Sequence, residues 1–194
     1  MTISRYHLFF VLLCCIGLSF FAGCTGVEKI NGPSPQQDQR VTGQENSENT
    51  GLSWMTYSIT DAVTGKKTSV AELAEEGRPI IIHTFAVWCP ACSIQLKETA
   101  KIVLSSPDTY HVLGIDLDPR ENTDMVKKHI EKNQFVGMYV AAPPEMTRSM
   151  INAFGTQIVQ SLPQTIVICN KSVTYIGDGV FPEANLKKII SEVC

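Results

Sequence analysis

Two cysteines separated by two residues stand directly behind a tryptophan in Trp88-Cys89-Pro90-Ala91-Cys92. Thiols at this spacing can cycle between dithiol and disulfide, supply half of a tetrahedral zinc site, or close a fixed structural bond. A zinc site needs a second Cys or His pair. The histidines are His7, His83, His111 and His129, and no two have paired spacing. A plain staple fits the position poorly, because the pair falls between an apolar run, Pro79 to Phe85, and a helix-like stretch. Redox chemistry fits it better. The attacking species is the thiolate, and a free thiol with a pKa of about 8.5 is mostly protonated at neutral pH. At a helix N-terminus Cys89 meets unpaired N–H groups and the positive end of the dipole. Cys92, one turn further in, can then resolve a mixed disulfide by attacking Cys89. Pro90 falls near the first helical position, where a missing N–H costs little and none is offered to the sulfur. Trp88 is placed to shield Cys89 and to meet a partner.

The elements that position this pair follow from periodicity and punctuation. Trp54 to Thr60 alternates and is expected to be a strand, closed by the turn Asp61-Ala-Val-Thr-Gly65. Val70 to Glu76 reads as a short helix stopped by Gly77, and Pro79 to Phe85 as a central strand. A helix over Cys92 to Leu104, a strand over His111 to Asp116 and a helix over Asn122 to Lys132 follow. Gly137 to Ala142 reads as a short strand and Pro144 to Phe154 as a helix opened by proline. Thr165 to Cys169 and Ser172 to Gly177 form a hairpin about Asn170-Lys171. Pro182 to Val193 closes the chain as an amphipathic helix, with Leu186, Ile189, Ile190 and Val193 on one side. The class is α/β, a central mixed β-sheet flanked by helices on both faces.

The remainder of the 194 residues concerns location. Leu8 to Phe21 is almost wholly apolar, short for a membrane span of about 20 residues but suited to a secretory signal. The run ends in Phe21-Ala22-Gly23-Cys24, which resembles the lipobox of prokaryotic lipoproteins, with Phe21 where Leu is usual. That resemblance implies a signal peptide over residues 1–23 and lipidation of Cys24. Cys14 and Cys15 would leave with the signal. Residues 24–51 are rich in Gly, Pro, Ser, Thr, Asn and Gln and read as a flexible linker, so the folded domain is expected over 52–194. A net charge of -3 carries no basic footprint for nucleic acid.

The stretch Phe85-Ala-Val-Trp-Cys-Pro-Ala-Cys92 after a buried strand resembles the active site of the thioredoxin superfamily. A second motif, Ser161-Leu162-Pro163-Gln164-Thr165, resembles its cis-proline loop. There Pro163 lies against the Cys pair and Leu162 meets the substrate backbone; an X–Pro bond is also where cis is cheap. Within the superfamily the chain resembles the TlpA/ResA group. The signs are Ser69-Val-Ala-Glu-Leu73 before Arg78-Pro79, Gly114-Ile-Asp-Leu-Asp118, and an extra segment from about Gln134 to Met150.

The resemblance implies a thioredoxin-like fold and a membrane-anchored thiol–disulfide oxidoreductase on the extracytoplasmic face. It implies exported disulfide-containing partners, an integral membrane electron donor, a monomer, and no cofactor or metal beyond the thiol pair. Three departures stand out. His83 holds the position where many thioredoxins bury an Asp, so it is either a base for Cys92 or a neutral core histidine. Gln95 stands where an acidic residue is frequent in ResA-like proteins. Pro90-Ala91 leaves the direction of electron flow open between a reductant and an oxidase or isomerase. A metal-binding chaperone using Cys89, Cys92 and a histidine is a third reading, although it usually takes a wider cysteine spacing. In this fold the last helix runs beside the strand that ends at Cys169, so Cys169 and Cys194 either form a structural disulfide or remain free thiols.

Overall fold

The computed structural model describes residues 51–194; the signal run, Cys24 and most of the linker lie outside the described residues. The described chain starts in a 3-10 turn, Ser53–Thr56, and not in the long strand that the alternation suggests. Trp54 and Met55 are adjacent and both buried, where a half-buried alternating strand would expose one of the two. Strand structure is confined to β1 (Ile59–Thr60), paired antiparallel with β2 (Lys67–Thr68). Asp61 closes the intervening turn by accepting from Thr64 Oγ1 at 2.5 Å and Val63 N at 3.2 Å. Helix α1 (Val70–Glu75) opens on a reciprocal capping box between Ser69 and Glu72.

Next come β3 (Ile80–Phe85), α2 (Pro90–Ser105), β4 (His111–Asp116), α3 (Thr123–Asn133) and β5 (Met138–Ala141). They are followed by α4 (Pro144–Phe154), α5 (Gln157–Gln160), β6 (Gln164–Cys169), β7 (Ser172–Asp178) and α6 (Glu183–Val193). The one-turn helix α5 has no periodic signature in the sequence, being only four residues long.

The main sheet has the order β5-β4-β3-β6-β7. β3 pairs parallel with β4, and β4 with β5, while β6 runs antiparallel to both β3 and β7. β3 is buried along its whole length, as its Ile80-Ile81-Ile82 run requires of a central strand. Helices cover both faces: Ile82, Leu113, Met146 and Ile158 share one apolar cluster, and Ile81, Ile102, Leu186 and Ile190 another. Gly114 is fixed by close approach, because a Cβ there would run into the Tyr139 and Phe85 rings. The β6–β7 turn holds Asn170 and Lys171 at φ 51° and 65°, the left-handed pair that a two-residue hairpin loop demands. Among the described residues no helix is long and apolar enough to cross a membrane.

Candidate active site

Strand β3 delivers the chain into the loop Ala86 to Cys89, where Cys89 N–H donates to the Ala86 carbonyl at 3.1 Å. Cys89 is the N-cap of α2, with extended backbone angles and its Sγ accepting the Cys92 N–H at 3.1 Å. The sulfur therefore takes the place of a capping oxygen at the positive end of a 16-residue helix. Pro90 occupies the first helical position, so α2 begins two residues earlier than Cys92. Cys89 and Cys92 are joined as a disulfide with Cα atoms 5.3 Å apart. Both are buried, Cys89 at 5% exposure and Cys92 at 1%, so Cys89 is the less enclosed residue of the pair.

The second motif arrives from the other side. Leu162-Pro163 is a cis peptide bond, and the Leu162 carbonyl oxygen lies 3.9 Å from Cys89 Sγ. The loop is held by its neighbours. Gly179 N–H donates to the Pro163 carbonyl at 3.0 Å. The Gln164 side chain donates to the Gln157 and Ser161 carbonyls and accepts from Tyr175 Oη at 2.6 Å. Thr84 accepts the Gln164 N–H at 3.2 Å and donates to the Ile158 carbonyl at 3.2 Å. Thr84 is a site-building residue that no motif in the sequence marks, and Gln164 falls inside the second motif without a role of its own there; the signal of each is only a polar side chain in an otherwise buried strand.

Trp88 stands 60% exposed beside the pair, and its indole N–H donates to Asp118 Oδ2 at 2.7 Å. Arg120 also grips Asp118, at 2.7 Å from Nη2 and 3.0 Å from Nε, and together these hold the carboxyl well below the usual range. Trp88, Asp118, Arg120, Glu121 and Met125 line an open depression of about 490 Å³. Behind it Glu121 Oε2 accepts the Val87 N–H at 2.8 Å. Asp116, at the end of β4, is pushed up to about 8 by burial, with the neighbouring Glu121 and Asp118 charges adding and the Asp118 amide opposing. These acidic residues lie at and just after the end of β4, about thirty positions from the cysteines, and the sequence gives no spacing that ties them to the pair.

His83 is fully buried beneath the loop. Its Nδ1 lies 3.1 Å from Thr165 Oγ1 and its Nε2 2.7 Å from Thr99 Oγ1. Burial depresses its pKa to about 3, so the imidazole is neutral. Both nitrogens are engaged, which favours the core role over that of a base. Gln95 extends the same network, donating to Thr99 Oγ1 at 3.2 Å and accepting the Phe181 N–H at 2.6 Å. Cys169 and Cys194 lie at the far end of β6 from Pro163 and are joined as a disulfide, with Cα atoms 5.5 Å apart. Among the described residues no group of three His, Cys, Asp or Glu side chains is placed to hold a metal ion.

No protein-family model matches the sequence, and no curated protein matches it. Solved structures do. A thiol:disulfide interchange protein of the thioredoxin family from Chlorobium tepidum TLS is 22% identical with a TM-score of 0.53, covering 70% of this chain and 91% of that one. StoA from Bacillus subtilis is 18% identical with a TM-score of 0.52, covering 68% and 93%. A DsbF homologue from Corynebacterium diphtheriae is 16% identical with a TM-score of 0.57, covering 70% and 83%. With its mixed five-stranded sheet, its Cys pair at the start of α2 and its cis-proline opposite, the chain has the thioredoxin fold.

Proposed function

We propose that the protein is a thiol–disulfide oxidoreductase that reduces disulfides of exported partner proteins, tethered by a lipid on Cys24 to the outer face of the cell membrane. One observation carries the chemistry: a capped Cys89 sulfur, bonded to Cys92 and facing the carbonyl before a cis-proline. In the reduced protein the Cys89 thiolate attacks a partner disulfide, forming a mixed disulfide and releasing one partner thiolate. The Cys92 thiolate then attacks Cys89 Sγ, releasing the second partner thiolate and restoring the Cys89–Cys92 bond. Two electrons pass to the partner, and an integral membrane thiol donor returns two to the pair. The cycle runs on the two sulfurs alone.

The direction is supported by charge. Asp118 and Glu121 gather at the loop, and the guanidinium among them, Arg120, is engaged by Asp118, which leaves the Glu121 charge without a cationic partner in the cluster. Net negative charge makes a nearby thiolate costlier and so favours giving electrons up. The helix N-terminus works the other way, through the Cys92 N–H on Cys89 Sγ, and it is the observation that keeps the oxidase reading alive. The tether rests on the Phe21-Ala22-Gly23-Cys24 signature alone. Expressed in cells, Cys92→Ser is expected to accumulate mixed disulfides through Cys89, sedimenting with membranes and dissolved by reductant. Absence of any disulfide-linked species would sink the mechanism, and recovery of them in the soluble fraction would sink the tether.

A further inference from the structure

The loop leading into Cys89 rests on a pair of carboxyl groups that the thiol cycle does not use. Asp116 closes β4, opposite Phe85 on β3 and beside Ala141 on β5, and is 2% exposed. Its Oδ1 accepts the Asp118 N–H at 2.9 Å. Its Oδ2 is buried and receives no donor among the described residues. The neighbouring Glu121 is a second carboxyl, whose charge disfavours a charge on Asp116. Glu121 in turn accepts the Val87 N–H, two residues before Cys89. Two ionised carboxylates in buried contact repel each other, and an acceptor oxygen with no donor keeps its full desolvation penalty. A single proton between them removes both faults.

We propose that Asp116 is protonated in the resting protein and donates from Oδ2 to the Glu121 carboxylate, which is thereby held on the Val87 amide and positions the loop entering the Cys89–Cys92 pair. The proton belongs on Asp116 because Glu121 is only half-buried and already has a backbone donor, whereas Asp116 is enclosed. Its depression-side neighbour Asp118 is saturated by Trp88 and Arg120, so neither that carboxylate nor that guanidinium is free to serve Asp116. From α3 the titratable group facing Glu121 is His129, whose own charge is disfavoured by burial. β3 and β5 present Phe85 and Ala141 at this level, and neither titrates. The N-terminal hairpin contributes Asp61, which is bound to Thr64, Val63 N and Tyr139 N.

The role assigned to Asp116 is positioning, exerted through Glu121 and Val87. Its consequence for thiol chemistry rests on the redox reading above, while the proton itself does not. When Asp116 ionises in alkali its proton goes to solvent, Glu121 loses its donor, and a second negative charge arises behind Cys89. The nucleophilicity of Cys89 then changes in a second step, separate from the titration of its own thiol.

The test uses the purified full chain. Difference infrared spectra should show a protonated-carboxyl band at neutral pH that fades in alkali, absent from Asp116→Asn. Glu121→Gln, whose amide can donate to Asp116, should lose the band at neutral pH without losing the Asp116 side chain. In the reduced protein the alkylation rate of Cys89 should show a second alkaline step, missing in both variants. No band at neutral pH, or a band that survives Asp116→Asn, overturns the proposal. A band that behaves as expected with an unaltered alkylation profile overturns the positioning role. A band that behaves as expected in a protein whose Cys pair cannot be reversibly reduced leaves the proton assignment standing and removes the redox reading.

Discussion

His83 shows how one buried imidazole couples the site to the stability of the domain. Thr99 Oγ1 donates to the Gln95 carbonyl at 3.1 Å and so accepts from the ring at Nε2, while the Thr165 hydroxyl can donate to Nδ1, which satisfies a neutral ring protonated on Nε2. A charged ring would be solvated by nothing else, which is why its pKa falls from 6.5 to about 3. Because the folded value is depressed, the unfolded chain binds the extra proton first, and stability is lost as pH falls from 6.5 towards 3. The slope from this one group is about 1.4 kcal/mol per pH unit. His83→Asn is expected to be less stable at neutral pH by roughly 1–3 kcal/mol through lost hydrogen bonds and packing. Its deficit should shrink at that slope on acidification. Denaturant unfolding of both proteins across this range checks it, and a deficit independent of pH would show that the ring is not neutral in the fold. The burial of His83 was legible from its place in an apolar strand. Its partners were not, since Thr99 and Thr165 come from α2 and β6 and only the tertiary fold brings them to one ring.

At the scale of elements, long signals were legible and short ones were not. β4 and α4 have the bounds that their apolar patterns and bracketing residues suggest. The Asn170-Lys171 turn fixes the β6–β7 hairpin with both residues at positive φ, a conformation that Asn tolerates well. Trp54 to Thr60 misleads because its apolar residues answer to two different neighbours, α4 for the 3-10 turn and β5 for Ile59. A third element effect is covalent. The Cys169–Cys194 disulfide ties the end of α6 to the end of β6 across a separation of 25 residues. Closing a loop of that length restricts the unfolded chain by about 3.5 kcal/mol. Cys194→Ser should therefore lower the melting temperature in the absence of reductant and leave it unchanged once the parent protein has been fully reduced and unfolded under the same reducing conditions. Equal melting of both under oxidising conditions would mean that the two sulfurs are not bonded in solution.

Across the whole molecule the sheet order brings together what the sequence keeps about seventy residues apart. β3 and β6 are neighbours and antiparallel, so the end of one and the start of the other meet, and Cys89 comes to face Leu162. Both motifs could be read from the chain because each depends on local chemistry, a cysteine pair at a helix start and a proline before a strand. The carboxyl group cluster at Asp116, Asp118 and Glu121 could not, because its meaning arises only when β4 lies beside β3. That cluster also bears on the direction of electron flow, which the Pro90-Ala91 dipeptide leaves open. The reduction potential of the Cys89–Cys92 pair, measured by equilibration of the purified protein with thiol buffers, tests the central claim most directly. A reversible two-electron couple near about -270 mV, in the thioredoxin range, is the predicted result. A value near about -120 mV, that of a strong oxidant, would contradict it.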